Sequence, residues 1–402
     1  MKKIFLSIAA LVCAATMSAQ TVDDTMNPLI TSMPSLSIAP DARSAGMGDL
    51  GVATDADFNA QYWNPAKYAY MYSKGGITAN YTPWLRKLVS DIDLAYLAGF
   101  YNFGDLAGGI GASFTYFSMG DVTLSGEGGT TLGTVRPNEW ALDLSYFRKL
   151  HEYVSMSVAV RFLYSDLSNG QNYSTGGATK ELHAAWTMAA DIALYYRQPI
   201  ELPMGTSHFN LGFTLKNLGG KMSYADDDES KNFIPASMNI GVGYELPINK
   251  FNSLTFNVEA NKMMVPTRKS RFAQNFDPAD ESTWQMSSTE YAAINPAKGW
   301  FQSFADAPGG VKEEFAEVRW GAGIEYSYNK QFFARAGYSY ENYYKGNRNY
   351  LTFGAGFHLS IVTLDVSYCV GLAASNPLDQ TMRFTLGFDL AGIQDLVNNK
   401  KK

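Results

Sequence analysis

The chain has 402 residues, a formal net charge of −6, two cysteines and four histidines. That acidic balance argues against a nucleic-acid partner, and so few cysteines exclude a disulfide-stapled fold. Tyr and Phe number 25 and 24 and Gly 36, while charged residues make up only 17%, a balance suited to aromatic-girdled strands with small interior residues.

Residues 1–19 read as a secretory signal. Lys2 and Lys3 supply the positive start, Ile4 to Cys13 the apolar run, and Ser18-Ala19 before Gln20 the small-residue cut. Val12 stands where a lipobox needs a small residue, so Cys13 is not read as a lipid anchor. Cleavage takes the net charge from −6 to −8 by removing Lys2 and Lys3, and leaves Cys369 as the remaining cysteine. After Ala19 no stretch approaches the roughly 18 to 20 apolar residues of a spanning helix. A mature chain that crosses a membrane must therefore do so as strands closed on themselves, because every backbone N–H and C=O needs an internal partner.

Residues 20–75 are irregular, with Pro28, Pro34, Pro40 and Pro65 and the cluster Gly46, Gly48 and Gly51, and read as a small N-terminal plug or hatch. Strict period-two alternation then marks fourteen strands: 76–83, 91–103, 107–119, 138–149, 153–165, 183–197, 207–217, 236–247, 253–263, 317–328, 331–341, 349–360, 361–372 and 380–390. Val154, Met156, Val158, Val160, Phe162 and Tyr164 share one face of their strand, against Ser155, Ser157, Ala159 and Arg161 on the other. Connections alternate short and long. Gly104–Leu106, Leu150–Glu152 and Asn329-Lys330 are short, whereas Gly120–Pro137, Asp166–Glu181, Leu218–Pro235 and Met264–Ala316 are long. Short turns face the periplasm and long loops the exterior, which from a periplasmic N-terminus returns the tail 391–402 to the periplasm.

The fold class is therefore all-β, a 14-stranded antiparallel transmembrane barrel over 76–390. A soluble sandwich also alternates, but its strands centre on about 5 or 6 residues, short of the about 9 to 11 that a bilayer needs. The outward faces, such as Leu351, Phe353, Ala355, Phe357 and Leu359, or Met382, Phe384, Leu386, Phe388 and Leu390, stay apolar throughout. Their opposite faces carry Glu245, Glu259, Arg319, Glu325, Arg335, Asp365 and Arg383, too many charges for a dry core but suited to a wet or ion-paired lumen. On this reading Phe353→Lys or Val366→Lys blocks insertion and Thr352→Lys is tolerated.

No pattern points to catalysis, a metal or a cofactor. Gly46-Met47-Gly48-Asp49-Leu50-Gly51 has dinucleotide spacing, but no buried strand precedes it; its glycines read as positive-φ or close-approach positions in a packed plug. His151, His183, His208 and His358 lack ligand spacing. The acidic run Asp226–Glu229 reads as a solvated loop, with cation bridging of lipopolysaccharide the other possibility. The connection 264–316 has no obvious regular structure yet carries Phe272, Phe276, Trp284, Tyr291, Trp300, Phe301 and Phe304, either a protein-binding surface or an inward cap.

Pro40 to Asp49, with Asp41, Arg43, Gly46, Gly48 and Asp49, followed by Tyr62-Trp63-Asn64-Pro65-Ala66, resembles the N-terminal pattern of FadL-like outer-membrane proteins of the Bacteroidetes. The stretch Trp300 to Phe315 resembles the long loop of the PorV family of the type IX secretion system. The resemblance implies a FadL-like barrel that is not the conduit itself. Its partners would be the C-terminal signal domains of secreted cargo, the translocon barrel and the surface sortase, besides outer-membrane lipid and lipopolysaccharide. Trp300, Phe301, Phe304, Asp306 and Phe315 are the expected contact or loop-shaping residues. The alternative is a transporter of fatty acids or other hydrophobic solutes, as in classical FadL relatives.

Overall fold

A computed structural model describes residues 27–87, 89–125, 131–168, 173–175, 178–180, 182–225, 231–269, 277, 280, 283–372, 376 and 378–399. The leader 1–19, the acidic run Asp226–Glu229, Phe272 and Phe276 lie outside them. Fourteen strands close into one antiparallel barrel: β1 Gly75–Pro83, β2 Asp93–Gly104, β3 Gly108–Ser118, β4 Asn138–His151, β5 Val154–Asp166, β6 Ala185–Leu202, β7 Gly205–Gly219, β8 Ser237–Pro247, β9 Asn252–Met263, β10 Val318–Tyr328, β11 Phe332–Tyr340, β12 Tyr350–Leu359, β13 Val362–Gly371 and β14 Met382–Asp389. Each pairs with its sequence neighbours, and β1 closes on β14 from Gly76↔Asp389 to Tyr81↔Phe384. Closure leaves no edge in the bilayer.

Alternation sets the faces. Val158, Val160, Phe353, Leu364, Phe384 and Leu386 are exposed on the outside, while Ser155, Ser157, Arg161, Thr352, Asp365 and Arg383 are buried on the inside. Near the long-loop end the outward rings of Phe114, Trp140, Phe162 and Trp186 follow one another across neighbouring strands at centroid separations of 5.4 to 6.2 Å. Tyr101, Phe103, Tyr328 and Phe332 gather near the short turns. Two such belts are the mark of a barrel seated between two membrane interfaces.

Residues 27–74 fill the lumen. Asn27 sits at the outer rim, where its N–H donates to the Tyr344 carbonyl (2.7 Å), and the segment descends to enter β1 at the short-turn end. The chain therefore does not come straight from the periplasm into β1. Four short helical turns, Pro34–Ser37, α1 Ala42–Ala45, α2 Ala60–Trp63 and Pro65–Tyr70, leave much backbone unpaired, and inward barrel side chains satisfy it. Glu259 accepts from the N–H groups of Gly51 and Val52 (3.0 Å each), and Thr352 from that of Gly48 (2.8 Å). Thr352 is thus buried under the plug, so Thr352→Lys meets packed backbone and is not tolerated as an open lumen would allow.

Three further features differ from the alternation pattern. Strands β6 and β7 run on to Leu202 and from Gly205, leaving only Pro203-Met204 as the turn. Pro199 fits inside β6 because β5 pairs only as far as Tyr196, so that stretch of β6 is an edge where a missing N–H costs nothing. The outer connections carry small hairpins, Val122–Ser125 with Thr131–Val135, Tyr173–Thr175 with Ala178–Lys180, and Lys221–Met222 with Asn232–Phe233. The tail is not featureless: Asp389 ends β14 and its carboxylate accepts from the Gly392 N–H (2.9 Å), starting a helix over Leu390–Asn399. Leu390 opens that helix instead of ending a strand.

Candidate functional site

The plug motif is built around buried charge. Asp41 caps α1 by accepting from the Ser44 N–H (2.8 Å) and also accepts from the Trp63 indole (2.6 Å). Arg43 grips Glu325 with Nε and Nη2 (3.0 Å each) and reaches Asp57 with Nη1 (2.7 Å). Arg335 also binds Glu325 (2.6 Å) and Asp365 (2.6 Å), so Glu325, Arg335 and Asp365, facing inward from β10, β11 and β13, are paired. An added Cβ at Gly46 would lie 2.9 Å from the Gly354 Cα, and Gly48, at φ 85°, would meet the Tyr338 carbonyl at 2.8 Å; both glycines let backbone touch the barrel wall. Asp49 accepts from the Tyr350 hydroxyl. Asn64 donates to the carbonyls of Val52 and Leu194 (3.0 Å each) and caps the turn that Pro65 opens.

This plug divides the lumen into two chambers with no lining residue in common. The outer one, about 530 Å³, lies between Leu36, Val52, Tyr62 and Trp63 below and the outer rim above. The inner one, about 290 Å³, opens beside Asp55, Asp57, His358 and Asp365.

The long outer connection is ordered by local caps and by buried ions. Helix α3, Ser288–Ala293, begins at a capping box between Ser287 and Glu290. Its Tyr291 is buried against Phe233 (centroids 5.2 Å), and Lys221 donates to the carbonyls of Tyr291 (2.6 Å) and Ala292 (3.0 Å) at the helix end. Asn295 caps α4, Pro296–Gln302, and Gly310, at φ 65°, precedes α5, Val311–Ala316. Lys345 binds Glu313 (2.7 Å) and Glu317 (2.9 Å), while Lys262 binds Glu314 (3.0 Å) and Glu317. These five side chains rivet α5 to β9 and to the 341–349 connection.

Of the five residues expected to make contacts, Phe301, Phe304 and Phe315 are exposed, joined by Val311, at 76%, 40%, 66% and 73%. Trp300 is half-buried, and its carbonyl accepts from the Ser303 hydroxyl (2.8 Å). Asp306 does not cap its own turn. Its carboxylate accepts from the Thr267 N–H (3.1 Å) and its carbonyl from Gln285 (2.7 Å), tying distant parts of the connection together. Burial, reinforced by nearby Glu314 and Glu317, pushes the Asp306 carboxyl up to about 6. The connection is thus neither structureless nor wholly a cap: Tyr291 and Glu313 pack inward and the phenylalanines outward. Lys262 and Lys345 escaped sequence reading because nothing local marks their carboxylate partners; the strand-end position of Lys262 is the only hint.

A closed, girdled, plugged 14-strand barrel is the FadL-like class of outer-membrane protein. The chain is similar in structure to the toluene transporter TodX of P. putida, at 12% identity over 87% of this chain and 98% of that one, with a TM-score of 0.50. It is also similar to the toluene transporter TbuX of Ralstonia pickettii (12%, 87% and 97%, 0.45) and to a FadL homologue of Pseudomonas aeruginosa (10%, 90% and 99%, 0.40). No curated protein matches it in sequence. Residues 20–270 match the model of the type IX secretion system protein PorV, and the chain belongs to that family of outer-membrane proteins. The matched span ends just inside the long outer connection.

Proposed function

We propose that this barrel binds the C-terminal signal domain of secreted cargo at its outer surface and carries it from the translocon barrel to the surface sortase complex. The observation that carries the reading is the outward group Phe301, Phe304, Val311 and Phe315, of which Val311 and Phe315 stand on α5, pinned by the buried ion pairs of Lys262 and Lys345, while Phe301 stands on the capped α4. Bare aromatic and apolar side chains on an ordered water-facing loop are what a protein partner covers. The plug supports a carrier over a conduit, since both chambers end against it. Transport of hydrophobic solutes, the role named for TodX and TbuX, fits poorly with chambers lined by Asp49, Lys216 and Arg319 or by Arg43, Asp57 and Asp365. The test is capture of a purified cargo signal domain by the barrel in mild detergent. Phe301→Ser with Phe315→Ser should weaken capture about tenfold or more, as loss of two interface anchors does. Undiminished capture by this variant, or by one with 264–316 shortened, rejects the loop as the binding surface. Growth defects on long-chain fatty acids without cargo capture would favour transport.

A further inference from the structure

The outer chamber is chemically unbalanced. Each carboxylate lining it has a cationic partner: Glu317 has Lys262 and Lys345, Glu341 has Arg348 (2.6 Å), and Asp49 has Arg383 (3.7 Å). Two lining cations do not fit that pattern. Among the described residues neither Lys216 nor Arg319 makes a hydrogen bond or ion pair, although Lys216 is only 8% exposed. The Lys216 ammonium lies 3.9 Å over the Tyr62 ring, its near contact, with Trp63 at 5.9 Å.

A local irregularity places it there. Pairing of β6 with β7 slips between Ala190 and Ile192, so Lys216 and Asn217 together face Asp191, whose carboxylate accepts from the Asn217 N–H (2.7 Å). Asn217 has φ 56°. A bulge of this kind turns two successive side chains to the same face, and both are buried on the lumen side. Asp191 is held by Arg161 (3.1 Å) as well as by that N–H, and burying a cation with no ion pair of its own is costly, so a bulge that does so marks a place for an anion to enter. Around it, Ser37, Tyr343 and the Asn261 Oδ1 line the chamber without a hydrogen-bond partner among the described residues, beside the faces of Tyr62 and Trp63.

We infer that the outer chamber binds a small hydroxylated carboxylic acid, of the uronic-acid class, through Lys216 and Arg319. The carboxylate meets the planar guanidinium and the ammonium, and the hydroxyls meet the uncommitted polar groups and stack on the rings. At about 530 Å³ the chamber is within the range of small-molecule sites. The probe is glucuronate, titrated calorimetrically into the detergent-solubilised full chain, with glucose as the ring that lacks the carboxylate. Saturable glucuronate binding, about tenfold or more tighter than glucose and weakened about tenfold by Lys216→Met and by Arg319→Gln, is expected, in keeping with loss of a charge-assisted hydrogen bond. Heat-modifiable mobility on gels reports whether each variant is folded, and the glucuronate-to-glucose comparison needs no variant. Equal binding of the two sugars, no saturable glucuronate binding, or folded variants that bind as before would each overturn the assignment.

Discussion

Glu325 shows most plainly how a single side chain works in this lumen. It receives Arg43 from the plug and Arg335 from β11, and Glu325→Leu leaves two buried guanidiniums facing each other. Breaking one member of a buried ionic group costs about 3 to 5 kcal/mol, so this variant should release the plug, seen as faster protease cleavage within 27–74 while the barrel keeps its heat-modifiable mobility. An unchanged cleavage rate would show that the pair does not hold the plug. Asp306 gives a second residue-scale expectation. Its carboxyl is raised to about 6 from an ordinary 3.8, so the folded loop takes up a proton more readily than an unfolded one. The stabilisation is complete below about pH 4 and is lost as pH rises through about 6. Protection of the Thr267 amide, whose N–H the carboxylate holds, measured against its intrinsic base-catalysed exchange rate, should fall between about pH 5 and 7.5, and Asp306→Asn should flatten that dependence. The same pH slope in the variant would assign it elsewhere.

Among the elements, β12 separates the two faces by one residue. Phe353 points to lipid and Thr352 to the plug, so the two lysine variants should fail differently. Phe353→Lys costs about 2 to 4 kcal/mol at the midplane and should lower the fraction that inserts. Thr352→Lys should insert as a barrel but expose the plug to protease. Matching insertion defects would contradict the register. The alternation that fixes this register is written along each strand, which is why all the barrel strands could be placed from the sequence to within a few residues, with β6 the main overrun. The helices at 288–293, 296–302 and 311–316 were not read. They are too short for a periodic signal, and they hold together through Ser287, Asn295 and a lysine pair from elsewhere in the chain. The helix 390–399 left a trace in Leu390, Ile393 and Val397, masked because Leu390 also continues the alternation of β14.

For the whole molecule, the plug decides what the barrel can pass. Two chambers that share no wall predict low conductance for the intact chain in a planar bilayer and a marked rise once residues 27–74 are excised; high conductance of the intact chain would mean the plug does not seal. The outward belt likewise predicts aggregation in buffer without detergent, and a monodisperse detergent-free solution would refute the membrane reading. By itself the sequence determined strand number, the face of each side chain and the end that carries the long loops. These follow from period-two alternation and connection length, which are local. The sequence also marked the irregular N-terminal segment as a plug; tertiary structure alone decided how that plug is held, which charges pair and which aromatics stay outside, because the partners, Arg43 with Glu325 or Lys345 with Glu313, lie on different elements and meet only when the cylinder closes around its own N-terminal segment.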